Sequence, residues 1–305
     1  MKVRQLKDYV VITLKGMAMG AADVVPGVSG GTIAFISGIY EELITSINNI
    51  DLSLIKVLKT EGVKAAWSKL NGNFLLALFL GIFISVLSLA KFLSWLLENQ
   101  PVLLWSFFFG LVLASIFFVG KEIKKWTPGT ILIFILGTAA AYFITELPPN
   151  ENVHSLPYLF LSGALAVCAM ILPGISGAFI LVLLGSYKTI LDAVHERDFK
   201  IVITVAVGAI FGLLSFARLL KWMFKNFKNF TLALLTGFIL GSLNKIWPWK
   251  KVLQTKTFGD KTVVIDDINV WPSAFEGDNQ LILAIILALI GFSLIFILEK
   301  IASKK

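Results

Sequence analysis

The chain contains one cysteine, Cys168, two histidines and only 15% charged residues in 305 positions. A single cysteine excludes an intramolecular disulfide and a cysteine-rich metal site. His154 and His195 are predicted to lie in solvated loops, so no histidine is placed to act as a nucleophile or a base. We therefore expect no catalytic residue, no metal ion and no cofactor. The low charge content also excludes an ordinary soluble domain, in which about a quarter of residues are charged.

Apolar sequence takes the place of the missing charge, since 57% of the residues are hydrophobic. Six apolar runs are each long enough to cross a hydrocarbon core of about 30 Å. They cover residues 74–97, 102–120, 129–145, 201–223, 230–247 and 281–298. These runs predict an all-α polytopic membrane protein. The N-terminus begins with basic residues but lacks a small-residue cleavage site, so no removable signal peptide is expected.

Two segments in the first part of the chain each resemble a segment in the second part. "VPGVSGGTIAFISGIYEELI" (25–44) aligns with "LPGISGAFILVLLGSYKTIL" (172–191), and "GIFISVLSLAKFLSWLL" (81–97) aligns with "GAIFGLLSFARLLKWMF" (208–224). The first alignment pairs Pro26, Gly27, Ser29, Gly30, Gly38 and Tyr40 with Pro173, Gly174, Ser176, Gly177, Gly185 and Tyr187. Such similarity over most of the chain predicts two structural repeats.

The repeats are predicted to cover residues 1–149 and 150–305. The first contains a broken motif (16–44), an interfacial helix at about 50–70 and three spans; the second contains a broken motif (157–191) and three spans. If each motif is a broken or re-entrant hairpin that enters and leaves on one side, each half crosses the membrane an odd number of times. The two halves are then inverted relative to each other.

Lysine placement agrees with this topology and with cytoplasmic N- and C-termini. The inner loops 45–73, 121–128 and 218–229 are rich in lysine, whereas the outer loops 98–101 and 146–157 contain no lysine or arginine. The long segment 248–280 is then outside. Because lysines lie at span ends, the formal charge of +8 indicates contact with the bilayer's anionic headgroups, and no nucleic-acid partner is expected.

The breaks have the composition of an anion site. Backbone that is not helical at membrane depth is tolerated where it is buried in protein or lines a polar cavity. After each Pro-Gly turn, small residues with free backbone N–H groups open the next helix, and such groups bind phosphate. The predicted phosphate-binding residues are Ser29, Gly30, Gly31 and Thr32 in the first half and Ser176 and Gly177 in the second. Close helix packing, for which membrane helices also use glycine and serine, is the alternative.

Four charged residues complete the candidate site. Lys91 and Arg218 lie at matching places inside apolar spans, where charge is costly, and either support the phosphate or extend to the headgroups. Asp23 precedes the first break and either orients the turn or takes part in coupling to H⁺ or Na⁺. Glu41, with Lys188 opposite it in the repeat, fits an ion pair at least as well as coupling.

The motifs "GMAMGAADVVPGVSGGTIAFISGIYEELI" (16–44) and "AMILPGISGAFILVLLGSY" (169–187) resemble the polyprenyl-phosphate (undecaprenyl-phosphate) transporter family of the PopT type, formerly a membrane family of unknown function. The resemblance covers essentially the whole chain. It implies a flippase, not an enzyme, that returns the lipid carrier undecaprenyl phosphate across the bacterial cytoplasmic membrane for reuse in peptidoglycan synthesis. The residues alone indicate only an anion.

Two other functions are compatible with parts of the sequence. A membrane undecaprenyl-pyrophosphate phosphatase also has inverted repeats and a Pro-Gly-x-Ser turn, but it resembles a pattern with arginine directly after the serine, where Gly30 and Gly177 stand here. An ion-coupled carrier or channel for a small soluble anion would share the helix breaks but would need a water-filled path. Movement of a lipid headgroup without hydrolysis distinguishes the transporter from both.

Overall fold

The protein is described by a computed structural model over residues 4–25, 28–147, 155–258 and 261–303. These residues are mostly helical and include fourteen α-helices. In the first half the helices are α1 (Leu6–Val24), α2 (Gly30–Ile36), α3 (Tyr40–Asn48), α4 (Leu52–Thr60), α5 (Val63–Leu70), α6 (Gly72–Asn99), α7 (Pro101–Glu122) and α8 (Pro128–Glu146).

The second half begins, like the first, with a long helix followed by two short ones. Its helices are α9 (Leu156–Ile171), α10 (Gly177–Leu183), α11 (Tyr187–His195), α12 (Phe199–Asn226), α13 (Lys228–Gly241) and α14 (Leu281–Ser303). Between α13 and α14 lie a 3-10 helix (Ser242–Ile246), strands β1 (Lys250–Phe258) and β2 (Lys261–Asn269), and a short 3-10 helix (Pro272–Ala274). The helices of each motif match in length: α2 and α10 have seven residues each, and α3 and α11 have nine.

The described helices confirm a multi-pass membrane protein. Helices α6, α7, α8 and α12 are each long and apolar enough to cross a membrane, and the pair formed by α10 and α11, bent by 109°, adds a fifth candidate. Two shorter apolar stretches lie in α9 (Leu156–Ile171) and in α14 (Leu281–Phe296).

Glycines set the pairing of the long helices. Helix α1 packs on α6, α9 on α12, α7 on α14 and α8 on α13. A methyl group on Gly81 of α6 would overlap the carbonyl of Thr13, and one on Gly291 of α14 would overlap that of Phe107. Small residues allow this close approach, which supplies much of the attraction between helices in lipid. The last two pairs join the two halves of the chain, because α7 and α8 come from the first half.

The expectation of an all-α chain is wrong for one segment. Strands β1 and β2 form an antiparallel hairpin, with register shifts between Val252 and Gln254 and between Gln254 and Thr255. β-Branched residues are frequent in both segments, which favours a strand over a helix. The hairpin lies in the segment 248–280 that was assigned to a long outer loop.

Three boundaries also differ from prediction. The interfacial helix expected at about 50–70 is two helices, α4 and α5, because Gly62 between them has a φ of +84° that a helix cannot include. The span expected at 230–247 is α-helical only to Gly241 and continues as a 3-10 helix to Ile246. His195 is the last residue of α11 instead of a loop residue, while His154 lies outside the described residues.

An ion pair fastens the N-terminus to the end of the first motif. Arg4 donates from Nη1 and Nη2 to the two carboxylate oxygens of Glu42 at 2.7 and 2.6 Å, and Asn71 Nδ2 donates to the same carboxylate at 2.7 Å. The two side chains of the pair are 20% and 30% exposed. Because Arg4 precedes α1 and Glu42 lies on α3, the start of α1 and the last part of the first motif lie close together.

We expect the Arg4→Met variant to have a free energy of unfolding about 1 kcal/mol below that of the wild type, because a paired, partly shielded carboxylate loses its bidentate partner. Chemical unfolding in detergent, followed by tryptophan fluorescence, measures the change. Lys7→Met removes a charge from an exposed position of α1 and serves as the control. An equal loss in both variants would contradict a specific role for the Arg4–Glu42 pair.

Candidate functional site

The first break lies between α1 and α2, and its polar groups are satisfied from within. Ser29 is the N-cap of α2, and its Oγ accepts from the Gly31 N–H at 3.1 Å. Asp23 Oδ1 accepts from the Gly30 N–H at 2.7 Å. Helix α2 thus begins at Gly30, and the hydrogen bond of Asp23 is the contact that its orienting interpretation requires. Pro26 and Gly27 lie outside the described residues.

The two breaks contact each other directly. Ser29 Oγ lies 3.3 Å from the carbonyl oxygens of both Met170 and Leu172, at the end of α9. Thr32 Oγ1 accepts from the Gly174 N–H at 2.9 Å. A Cβ on Gly31 would lie only 2.6 Å from a carbonyl oxygen of the second break. The structure thus brings Ser29, Gly31 and Thr32 to the second break, although the bonding partners of Ser29 are carbonyl groups and not Ser176.

The second break differs from the first in its shielding and its charge. Ser176 precedes α10 but makes no side-chain cap hydrogen bond, and Gly177 packs against the carbonyl of Ala166. The position that matches Asp23 in the repeat is Met170, so this helix start has no carboxylate. All seven residues of α2 are buried, whereas none of the seven in α10 is. Helix α10 is therefore more exposed than α2, although Ser176 before it is buried.

A second bend within each motif explains two identities that the sequence alignment left without a role. Gly38 (φ +72°) and Gly185 (φ +68°) end α2 and α10 in the left-handed conformation. The hydrogen bonds are equivalent, since Ile39 N donates to Ala34 O at 3.0 Å and Ser186 N donates to Leu181 O at 2.9 Å. This is the usual glycine termination of a helix. It turns α3 and α11 back from the breaks.

The charged residues predicted for the site lie farther out. Arg218 is exposed on α12 and has no hydrogen bond or ion pair with any residue the structure describes. The side chain of Lys91 lies outside the described parts of α6. Glu41 pairs with Lys228 at 2.7 Å, both more than half exposed, whereas Lys188 pairs with Asp192 at 3.9 Å. Glu41 is thus paired with Lys228 and not with Lys188, its counterpart in the repeat.

The sequence matches a known family over most of its length. Residues 19–264 match the VCA0040-like family, described as undecaprenyl phosphate translocase-like. The chain belongs to this family.

Two relatives are also similar to most of the chain. A polyprenyl-phosphate transporter of Vibrio cholerae serotype O1 is 45% identical over 303 residues, 97% of this chain and 98% of the relative. A polyprenyl-phosphate transporter of Staphylococcus aureus is 32% identical over 254 residues, 77% of this chain and 85% of the relative. No solved structure matches the chain significantly.

Sequence reasoning missed Asn48, which joins the first motif to the second half. Asn48 Nδ2 donates to the carbonyl of Ala217 on α12 at 2.7 Å, next to Arg218, and also to Ile44 O at 2.8 Å. Tyr40 adds a ring contact with Phe224 on the same helix, with centroids 6.0 Å apart. An asparagine at the end of an amphipathic helix is an ordinary surface residue, so no signal in the sequence pointed to this contact.

Proposed function

We propose that the chain transports undecaprenyl phosphate across the bacterial cytoplasmic membrane without hydrolysing it, and that the phosphate headgroup binds where the two breaks meet. The observation that carries the proposal is the direct contact between the breaks, through Ser29, Thr32 and Gly174. The names of the two relatives support the substrate class. To cross the membrane, an anionic headgroup needs hydrogen-bond donors at membrane depth. Backbone N–H groups beside small residues at the breaks are such donors.

The halves act as inverted repeats in this proposal. Each motif folds back on itself: Arg4 meets Glu42 in the first, and in the second Tyr158 OH donates to the carbonyl of Leu184 at 2.9 Å. The loops also form two separate groups, as the lysine distribution predicts. Lys124 N donates to Asn229 Oδ1 at the proposed cytoplasmic side, and Gln280 Nε2 donates to Gln100 Oε1 at the proposed outer side.

The headgroup is proposed to exchange with internal contacts on binding. Asp23 and Ser29 already occupy two N–H groups at the start of α2, so a phosphate that binds Gly30 and Gly31 replaces an internal acceptor with its own oxygens. Ser176 and Gly177 offer the start of α10 on the other side. Asp23 is then released from Gly30, and coupling to H⁺ or Na⁺ through its carboxylate is the alternative to a purely orienting role.

Reconstituted liposomes test the function. Undecaprenyl phosphate is included in the bilayer, and the accessibility of its headgroup and the release of inorganic phosphate are followed together. Headgroup movement without phosphate release supports transport. Phosphate release would indicate a phosphatase, and no movement under any of several ion gradients would overturn the proposal.

Arg218 is proposed to attract the headgroup toward the site from the cytoplasmic side, since its exposed side chain has no anionic partner among the described residues. We expect Arg218→Gln to lower the initial transport rate about threefold to tenfold, with a smaller dependence on salt, because a steering charge is lost. Lys221→Gln on the same helix, also exposed, is the control. Equal effects of the two variants would show that Arg218 only extends to the lipid headgroups.

A further inference from the structure

The base of the β-hairpin contains a cluster of charged side chains that no predicted site includes. Lys245, at the end of the 3-10 helix, donates from Nζ to Asp267 Oδ1 at 3.2 Å. Lys250 of β1 donates to both carboxylate oxygens of Asp267, at 3.3 and 3.2 Å, and to the carbonyl of Lys245 at 2.9 Å. We call these three residues the hairpin cluster.

Two tryptophans beside the hairpin cluster pack on helices α7 and α14 and fix its position. Trp247 Nε1 donates to Val270 O at 2.9 Å, and Trp249 Nε1 donates to Asn279 O at 2.8 Å. The ring of Trp247 contacts those of Phe109 and Trp249, both with centroids 5.5 Å apart. A strand pair alone is marginal in water, so these contacts with α7 and α14 hold the lysines in place.

The hairpin cluster lies beside the second break. Lys245 Nζ is 5.4 Å from the ring centroid of Phe179 on α10, and Lys250 Nζ is 5.8 Å from that of Trp105 on α7. The 3-10 helix itself touches the break, because a Cβ on Gly174 would lie 2.7 Å from Ser242 Oγ. A group held by Lys245 is therefore adjacent to α10, whose residues are more exposed than those of α2.

The hairpin cluster has more positive charge than its own carboxylate balances. The side chains of Lys245, Lys250 and Asp267 are 25%, 12% and 15% exposed, so two ammonium groups share one shielded carboxylate. Burial lowers the pKa of the Lys250 ammonium despite that carboxylate. Glu146 is a more distant acid that is exposed and accepts from Asn244 Nδ2 at 2.6 Å. An ammonium has three donor hydrogens, of which Lys245 uses only one in the described contacts, whereas Lys250 already donates to three oxygens.

The hairpin cluster belongs to one half of the chain only. In the repeat alignment, with "FFFGLVLAS" (107–115) opposite "LLTGFILGS" (234–242), the position that matches Lys245 is Phe118, where α7 continues as a helix. The lysines also stand on the proposed outer side, against the usual preference of positive charge for the cytoplasm. Positive charge on this side would attract an anion that approaches from the same side.

We propose that Lys245 and Lys250 form a binding site for the phosphate monoester headgroup of the transported lipid, at which the headgroup is held before it reaches the breaks. This inference rests on the proposed function, which supplies the ligand class. In this proposal one phosphate oxygen accepts from Lys245, and a second oxygen replaces an Asp267 oxygen as an acceptor for Lys250. Phe179 and Trp105 border the same site and offer apolar contact to the first part of the lipid tail.

Equilibrium binding of farnesyl phosphate to the purified full-length protein tests the inference, with farnesol and inorganic phosphate as separate competitors. We expect Lys245→Gln and Lys250→Gln each to weaken binding about tenfold, because each removes charge-assisted hydrogen bonds to the phosphate. Lys251→Gln, one position along the same strand and paired with Glu276, is the matched control with a change below about twofold. Lys245→Arg keeps the charge and is expected to preserve binding, which separates a phosphate site from a folding role if Lys250→Gln is unstable.

The outcomes separate the inference from the proposed function. If the wild type binds and moves the lipid while Lys245→Gln binds it as tightly as Lys251→Gln does, the hairpin cluster is not a headgroup site and the proposed function stands. If the wild type neither binds farnesyl phosphate nor moves undecaprenyl phosphate, both are overturned. If inorganic phosphate competes as well as the lipid does, and loses affinity in the same variants, the site is supported with free phosphate as its ligand. Competition by farnesol alone would contradict it.

Discussion

The Gly31→Ala variant is expected to transport at least about tenfold more slowly than the wild type and to lose about 1–3 kcal/mol of its free energy of unfolding. A Cβ at this position would lie 2.6 Å from the Ile171 carbonyl oxygen and 2.9 Å from that of Met170. Both neighbours are backbone atoms at the end of α9, so they cannot rotate away as a side chain does. The new methyl group must therefore push the two breaks apart.

Separation of the breaks should affect transport more than stability. The contact of Ser29 with the carbonyl groups of α9 and the bond between Thr32 and Gly174 both span the same junction. Each depends on the closest approach at Gly31, because hydrogen bonds weaken quickly with distance and angle. Headgroup movement in liposomes and unfolding in detergent, measured on the same preparations, report the two effects separately.

Gly120→Ala is the control for Gly31→Ala. Gly120 is near the end of α7, and a Cβ added there would have no atom within 4 Å. Alanine in a helix is favoured over glycine by about 0.5–1 kcal/mol, so this variant should be as stable as the wild type or slightly more so. If Gly31→Ala loses stability but transports normally per folded molecule, the small residues of the break serve packing alone, which is the alternative that the sequence left open.

Local chemistry made the start of each break predictable. Serine before a glycine-rich turn favours an N-cap, and Ser29 is the N-cap of α2 as expected. The partners across the break were not predictable, because the Thr32 hydroxyl could bond to its own helix or to any nearby donor. Its bond to Gly174, 142 positions away, is set by how the two motifs pack. Repeat alignment identified both partners as members of matching motifs but could not place them in contact.

The β-hairpin and its lysines have a signal in the sequence. The segment "KKVLQTKTFGDKTVVIDDIN" (250–269) has two short runs of strand-forming residues around a Gly-Asp turn, which is a hairpin signal. The hydrophobic composition of the chain predicts helical spans, and this short pattern is weak beside it. Lys245 was also visible as a basic residue at an outer span end, where the positive-inside rule disfavours it. Exposed loops tolerate such charges, so only the shielding that the structure shows distinguishes this lysine.

The Asp23→Ala variant is expected to lose at least about tenfold in transport, whereas Asp23→Asn is expected to stay within about threefold of the wild type. Asp23 Oδ1 is the acceptor for the Gly30 N–H at 2.7 Å, and Gly30 is buried. Leaving a buried N–H without a partner costs about 1–3 kcal/mol, which is enough to distort the start of α2. The side-chain oxygen of asparagine can still accept this bond, so the turn survives without the charge.

The pair of Asp23 variants decides between the two roles that the sequence allowed for this residue. If Asp23 only orients the turn, the acceptor matters and the charge does not, so asparagine preserves headgroup movement under every ion gradient. If Asp23 takes part in coupling to H⁺ or Na⁺, asparagine fails as alanine does, because an amide neither exchanges a proton nor offers a charge. Asp8→Asn, on the same helix and away from the breaks, controls for the loss of a carboxylate. In the second half, the position that matches Asp23 is Met170. Helix α10 therefore begins without a carboxylate, and any role of Asp23 belongs to the first break alone.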